Sequence, residues 1–162
     1  MLTPAQNTII KTYVIGDATL NALPHTADGA FAIAAALAVI ATPPFIVWKN
    51  SVTIPEVGSA IVATGLTSLT TADVSRLSTF AQINPSGIQP WRIDHRSALD
   101  TIFSATSGAS TRTALLALYK RSANILEKLL ATGTGSDASP ATLVVEGTID
   151  YNAVGVAMGW SF

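Results

Sequence analysis

An apolar run of twelve residues, AFAIAAALAVIA at positions 30–41, constrains the fold more than any other feature. Asp28 precedes it, and Pro43 and Pro44 follow it. A membrane-spanning helix needs about 20 apolar residues, so the run is too short to cross a bilayer. Because it has no polar face, we predict a helix over about residues 27–41 that other helices or subunits surround. No basic segment precedes it as in a secretion signal, so we expect a chain that is soluble where it is made.

Charged residues are scarce. They make up 12% of the chain, against about 25% in an average protein. The net charge of −1 provides no overall field that would hold the chain on nucleic acid or on an anionic membrane. A soluble monomer normally covers itself with more charge, so we predict that an assembly covers much of this surface. The lack of cysteine excludes disulfides and thiolate metal sites.

Local capping signals predict a mainly α fold, a helical bundle of about five to six helices. Thr3-Pro4-Ala5-Gln6 and Thr53-Ile54-Pro55-Glu56 each pair a capping hydroxyl with Gln or Glu three residues later. These two segments predict helices over about 4–15 and from about 54. Further helices are predicted over about 72–83, from a cap at Asp94 through Phe103, and over 111–131, with a last short helix capped by Asp150.

The longest predicted helix, residues 111–131, has apolar residues three and four apart on one side. Four cations lie mostly on its other side: Arg112, Lys120, Arg121 and Lys128. They form either a solvated face or an electrostatic contact with an acidic partner surface. A DNA-binding regulator that uses this face is an alternative, although no aromatic residues alternate with the cations as in single-strand binding.

The stretch ATGTGSDASPATLVVEG, residues 131–147, does not fit a phosphate-binding loop. Such a loop carries a lysine and precedes a helix, whereas these glycines follow a helix and precede a predicted strand, TLVVEG. Gly133 is the predicted left-handed helix cap. We therefore predict a helical body over residues 1–131, and an extended C-terminal arm over 132–162 with a strand or hairpin and a terminal helical turn.

Candidate catalytic side chains do not form a complete set in the sequence. Asp94 and His95 are adjacent, and neighbouring side chains on a helix point about 100° apart. His25 lies three residues before Asp28, which supplies two of the three or more ligands that a metal needs. We expect no catalytic, cofactor-binding or metal-binding residues and no enzyme activity. A small hydrolase built on His25 and His95 is the remote alternative, and the glutamates could still meet in space.

Apolar residues in the predicted arm are candidate interface residues. They are Leu143, Val144 and Val145 in the predicted strand, and Trp160 near the end of the sequence. Whether the strand at 142–150 pairs within its own subunit or with a neighbour stays open. Tryptophan is common in interface hot spots, so Trp160 is either a core anchor or an interface anchor.

Three segments carry a family resemblance: LPHTADGAFAIAAAL, PPFIVWKNSV and LLALYKRSANILEKLLATGTGSDASPATLVVEGTIDYNAV. Together they resemble small helical virion structural proteins of tailed bacteriophages. The resemblance implies a head–tail adaptor, also called a connector, made in the host cytoplasm and located in the virion. Such a protein forms a ring with copies of itself, binds the portal protein and a neck or tail protein, and lets viral DNA pass without sequence-specific binding. Another capsid-associated or neck protein is the alternative within this class.

Overall fold

The computed structural model describes residues 1–61, 63–67 and 69–162. Within these ranges the protein is mainly α, as predicted, but it has ten α-helices, more than the five to six expected. They are α1 (Pro4–Gly16), α2 (Ala18–Asn21), α3 (Ala27–Leu37), α4 (Ile54–Ala60), α5 (Ala63–Thr67), α6 (Thr71–Ile83), α7 (Ile93–Ile102), α8 (Ala109–Leu118), α9 (Ile125–Leu130) and α10 (Tyr151–Met158). Strands β1 (Ile46–Trp48) and β2 (Lys120–Ser122) form a two-stranded sheet.

The chain divides into two compact units. Unit 1 comprises Met1–Val47 and Ser122–Phe162, and unit 2 comprises Trp48–Arg121. Unit 2 is thus a continuous segment inserted into unit 1.

The core of unit 1 joins the two ends of the sequence. Ile10 of α1, Ile33 of α3, Leu126 of α9 and Val154 of α10 are all fully buried in one cluster. α10 packs against both α3 and α1. Residues after 131 therefore contribute side chains to the same core as the first helix. Backbone bridges also join Thr132 to Thr142 and Val47 to Ala141.

Unit 2 has a smaller core. Its fully buried large side chains include Leu99 and Phe103, and Leu115 and Tyr119 of the α8 region pack with them. α6 differs from the other long helices in that none of its side chains is fully buried. It contacts this core through the partly buried Leu77 and Phe80.

Local capping signals located several helix starts correctly. Thr3 and Gln6 form the predicted capping box of α1, and Thr53 and Glu56 form that of α4. Asp150 caps α10 as predicted, through a hydrogen bond of 2.7 Å from the Ala153 amide. The prediction for α7 is wrong in detail, because its N-cap is Arg92 and Asp94 lies in the first turn.

The single helix predicted over 111–131 is wrong. α8 ends at Leu118, β2 follows, and a new capping box at Asn124 starts α9. The Ala123 amide donates to the Phe45 carbonyl at 2.8 Å, a bond to a distant part of the chain. Because apolar residues remain three and four apart across the break, periodicity alone did not reveal it.

The glycine-rich stretch has a different role from the predicted helix cap. Ala131, in extended conformation, caps α9, while Gly133 adopts a φ of 123° two residues later. Within residues 142–150, all of which the structure describes, the predicted strand or hairpin reduces to the bridge at Thr142.

Candidate assembly surfaces

Helix α3 exposes apolar residues on the side that faces away from the core of unit 1. Phe31 is 67% exposed, and Ala35, one turn further on, is also exposed. Val39 and Ile40, directly after the helix, are 58% and 56% exposed. Asp28 is the one charged residue in α3. A surface helix normally carries polar residues on its outer face, so this outer face is suited to contact with another molecule.

A shallow groove of about 220 Å³ lies beside Phe31 in unit 1. We call it the α3 groove; its lining includes Phe31, Ala35, Ala38, Ile149, Asp150 and Tyr151. The Asp150 carboxylate accepts the Ala153 amide as the cap of α10 and is itself exposed, so the groove is apolar with an acidic rim.

A second apolar groove, of about 470 Å³, lies between α6 and α7 in unit 2. We call it the α6–α7 groove; its lining includes Arg76, Thr79, Phe80, Ile83, Ala98 and Ile102. Ile83 is 70% exposed although Ile102 on the facing helix is buried. Arg76 is the charged residue of the lining, and its guanidinium lies 3.1 Å from the Asp73 carboxylate on the same helix.

The four predicted interface cations do not lie on one helix. Arg112, on α8, donates hydrogen bonds to the carbonyls of Phe103 and Ala105 and so binds the end of α7. Lys120 and Arg121, which belong to unit 2, are half-buried in β2. Lys128 is exposed in the last turn of α9, in unit 1. The stripe predicted from helical periodicity is therefore absent, because the helix that would carry it is interrupted.

The predicted interface residues near the C-terminus have different environments. Leu143 is buried with Val47 and Ala141, and Val145 packs against the main core of unit 1. Val144 is 59% exposed. The Trp160 ring stacks on the His25 ring with centroids 4.5 Å apart, so it has a contact partner inside its own unit. Of these four side chains, Val144 is the most available to a partner.

The two histidines make separate contacts in separate units. The His95 Nδ1 accepts a hydrogen bond of 3.0 Å from the Gln89 amide, and the His95 and Phe80 rings make a T-shaped contact. Asp94 is instead held by the Arg92 guanidinium, which lowers the Asp94 pKa to about 2. Burial lowers the pKa of His95. The Asp94 carboxylate and the His95 Nδ1 thus have different hydrogen-bond partners, Arg92 and Gln89.

The described part of the chain contains no group of three or more His, Asp or Glu side chains close enough to hold a metal ion. It also contains no helix long and apolar enough to cross a membrane.

A buried polar network in unit 1 was not predicted. The Glu127 side chain, 2% exposed, accepts hydrogen bonds from the amides of Asn124 and Gly147, and the Asn124 side chain donates to the Gly147 carbonyl. The sequence signal was present, since Asn followed three residues later by Glu is a capping box. It was missed because it lies inside a continuous helical pattern.

No protein family model matches the chain, and neither a curated protein nor a solved structure matches it.

Proposed function

We propose that the chain is a structural subunit of a tailed-phage virion, a head–tail adaptor that forms a ring and joins the portal to a neck or tail protein. The exposed apolar face of α3 is the observation that carries this proposal. The motif resemblance described above supplies the phage context.

Phe31, Ala35 and Val39 together expose apolar surface next to a groove in a protein with few charges. Burying apolar surface contributes about 25 cal/mol per Å², so covering these side chains favours association. Permanent interfaces are also more apolar than transient ones. A subunit that is always assembled gains from such a face, whereas a monomer would be prone to aggregate.

The C-terminal segment provides a second contact in this proposal. Val144, Val156 and Phe162 are 59%, 69% and 54% exposed, while the nearby Val145, Ala157 and Trp160 pack into the core of unit 1. These three residues would dock on the portal or on a neck protein. The exposed Lys128 would add an electrostatic contact with an acidic partner surface.

The test is to stop translation of this chain in the phage that encodes it and to examine the particles by electron microscopy. The proposal expects heads without attached tails, restored when the chain is supplied in trans. In cryo-EM maps of wild-type particles, a single ring at one vertex supports the adaptor role. Copies spread over the shell would instead identify a capsid-associated protein, and normal infectious particles without the chain would contradict a structural role.

The remote hydrolase alternative has its own test. If particles that carry His25→Ala and His95→Ala together assemble and infect as before, a function that depends on these histidines is excluded. Loss of infectivity with normal assembly would favour it.

A further inference from the structure

The net charge of −1 conceals a strong separation of charge between the two units. Unit 1 contains two basic and six acidic residues, a net charge of −4. Unit 2 contains seven basic and four acidic residues, a net charge of +3. Each unit also carries one of the two grooves. The α3 groove lies on the negatively charged unit 1, and the α6–α7 groove lies on the positively charged unit 2.

We infer that copies of this chain associate head to tail, with the α3 groove of one copy seated on the α6–α7 groove of the next. This inference rests on the proposed ring-forming function and specifies which surfaces of neighbouring subunits meet.

Both grooves offer apolar side chains that are largely exposed. Phe31 is 67% exposed at the α3 groove, and Ile83 is 70% exposed at the α6–α7 groove. Two acidic residues, Asp28 and Asp150, border the α3 surface. Asp28 lies three residues before Phe31 and hence on the same side of the helix. The other groove has Arg76. The Arg76 side chain is 62% exposed and pairs with the half-buried Asp73 on its own helix. Because an ion pair at the surface is weak, Arg76 can turn to a carboxylate of the neighbour.

Charge also disfavours the symmetric alternatives. If copies met through the same groove on both sides, two units of −4 or two units of +3 would face each other, and like charges at an interface are costly. Contact between unit 1 of one copy and unit 2 of the next avoids this repulsion. A head-to-tail contact leaves one groove free at each end, so it continues until a ring closes or a filament forms.

The decisive experiment uses two variants that are each defective on one side. Phe31→Lys disables the α3 groove and Ile83→Glu disables the α6–α7 groove; both side chains are mostly exposed, so circular dichroism and thermal melting should be unchanged. By native mass spectrometry, each variant alone should be a monomer. Mixed in equal amounts they should form a heterodimer and nothing larger, because only one pair of intact grooves remains.

Matched controls are Ile15→Lys in unit 1 and Ile93→Glu in unit 2, which are 51% and 67% exposed and do not line either groove. Both should assemble like the wild-type chain. A mixture of the two defective variants that stays monomeric, or either variant still assembling alone, would overturn the inference.

A charge exchange tests the polar part of the contact. Asp28→Arg and Arg76→Asp should each weaken self-association at least about tenfold, since like charges then face each other. The chain that carries both changes should return to within about threefold of wild type. Arg92→Asp is the control for Arg76, because Arg92 is also an exposed arginine paired with a nearby aspartate but lies outside the groove.

The two proposals fail in different ways. A wild-type chain that stays monomeric, or that stops at a dimer, contradicts head-to-tail pairing. The virion proposal would still stand if the chain were found in particles, and it falls only if particles lack the chain or do not need it.

Discussion

The Gly147 amide donates a 2.8 Å hydrogen bond to the Glu127 side chain, which ties the turn before α10 to the first turn of α9. The same carboxylate accepts the Asn124 amide at 3.1 Å. Replacing Glu127 by Ala leaves the buried Asn124 amide and the partly buried Gly147 amide without this acceptor, so we expect the free energy of unfolding to fall by about 3 kcal/mol. A urea titration measures this loss of free energy of unfolding.

The control is Glu146→Ala, which removes an exposed carboxylate from the same turn. It should cost less than about 1 kcal/mol, as expected of a surface charge. Equal losses for the two variants would show that the buried network does not stabilise unit 1.

Two valines of α10 test whether the C-terminal helix is part of the unit 1 core. Val154 is fully buried and Val156 is 69% exposed. We expect Val154→Ala to lower the free energy of unfolding by about 2 kcal/mol and Val156→Ala to change it by less than about 0.5 kcal/mol. Thermal or urea unfolding of the two variants makes the comparison. Similar values for both would mean that α10 is not packed on α3 and α1.

The lowered pKa of His95 predicts that the stability of the protein depends on pH. The folded-state pKa of His95 lies below the ordinary value of 6.5, chiefly through burial, so folding favours the neutral ring. Its contribution to stability is therefore complete above pH 6.5 and is lost as the pH falls from 6.5 through the folded-state pKa. Protonation also places a hydrogen on Nδ1, which then cannot accept the Gln89 amide.

The matched variant is His95→Asn, whose side-chain oxygen can replace Nδ1 as acceptor without titrating. The wild-type chain should lose stability between pH 8 and pH 5 in urea titrations, and the variant should lose less. Parallel curves for both proteins would refute the role of His95.

Gly135, in the glycine-rich stretch, lies where a side chain does not fit. Its φ is 66°, and an added Cβ would lie 2.1 Å from the Phe45 ring. The Ile46 amide donates a hydrogen bond of 2.7 Å to the Gly135 carbonyl, which fixes this part of the chain. We expect Gly135→Ala to lower the free energy of unfolding by about 2–4 kcal/mol. Gly16→Ala, at a site with open space, should be neutral or slightly stabilising.

Features that depend on neighbouring residues in sequence could be predicted, and those that depend on distant contacts could not. The capping boxes at Thr3 and Thr53 are local, so they located two helix starts. The break after Leu118 depends on bonds between residues near 122 and residues 39–46, which no local pattern encodes. Because the expected cation stripe relied on an unbroken helix there, that part of the candidate site was also wrong.

The candidate surfaces show the same limit. The lack of a polar face on α3 was visible in the sequence, but which of its residues stay exposed was not. Phe31 is exposed and Ile33 is buried because α10, more than a hundred residues later, covers one side of the helix. The separation of charge likewise required knowing which segments form each unit.

The proposed adaptor role is tested by native mass spectrometry of the purified chain, with and without a candidate portal protein. We expect either a closed ring of the chain alone or a portal complex that takes up a fixed number of copies. Phe31→Lys should abolish the ring or reduce the number of copies bound. A chain that remains monomeric under both conditions would contradict the proposed adaptor role.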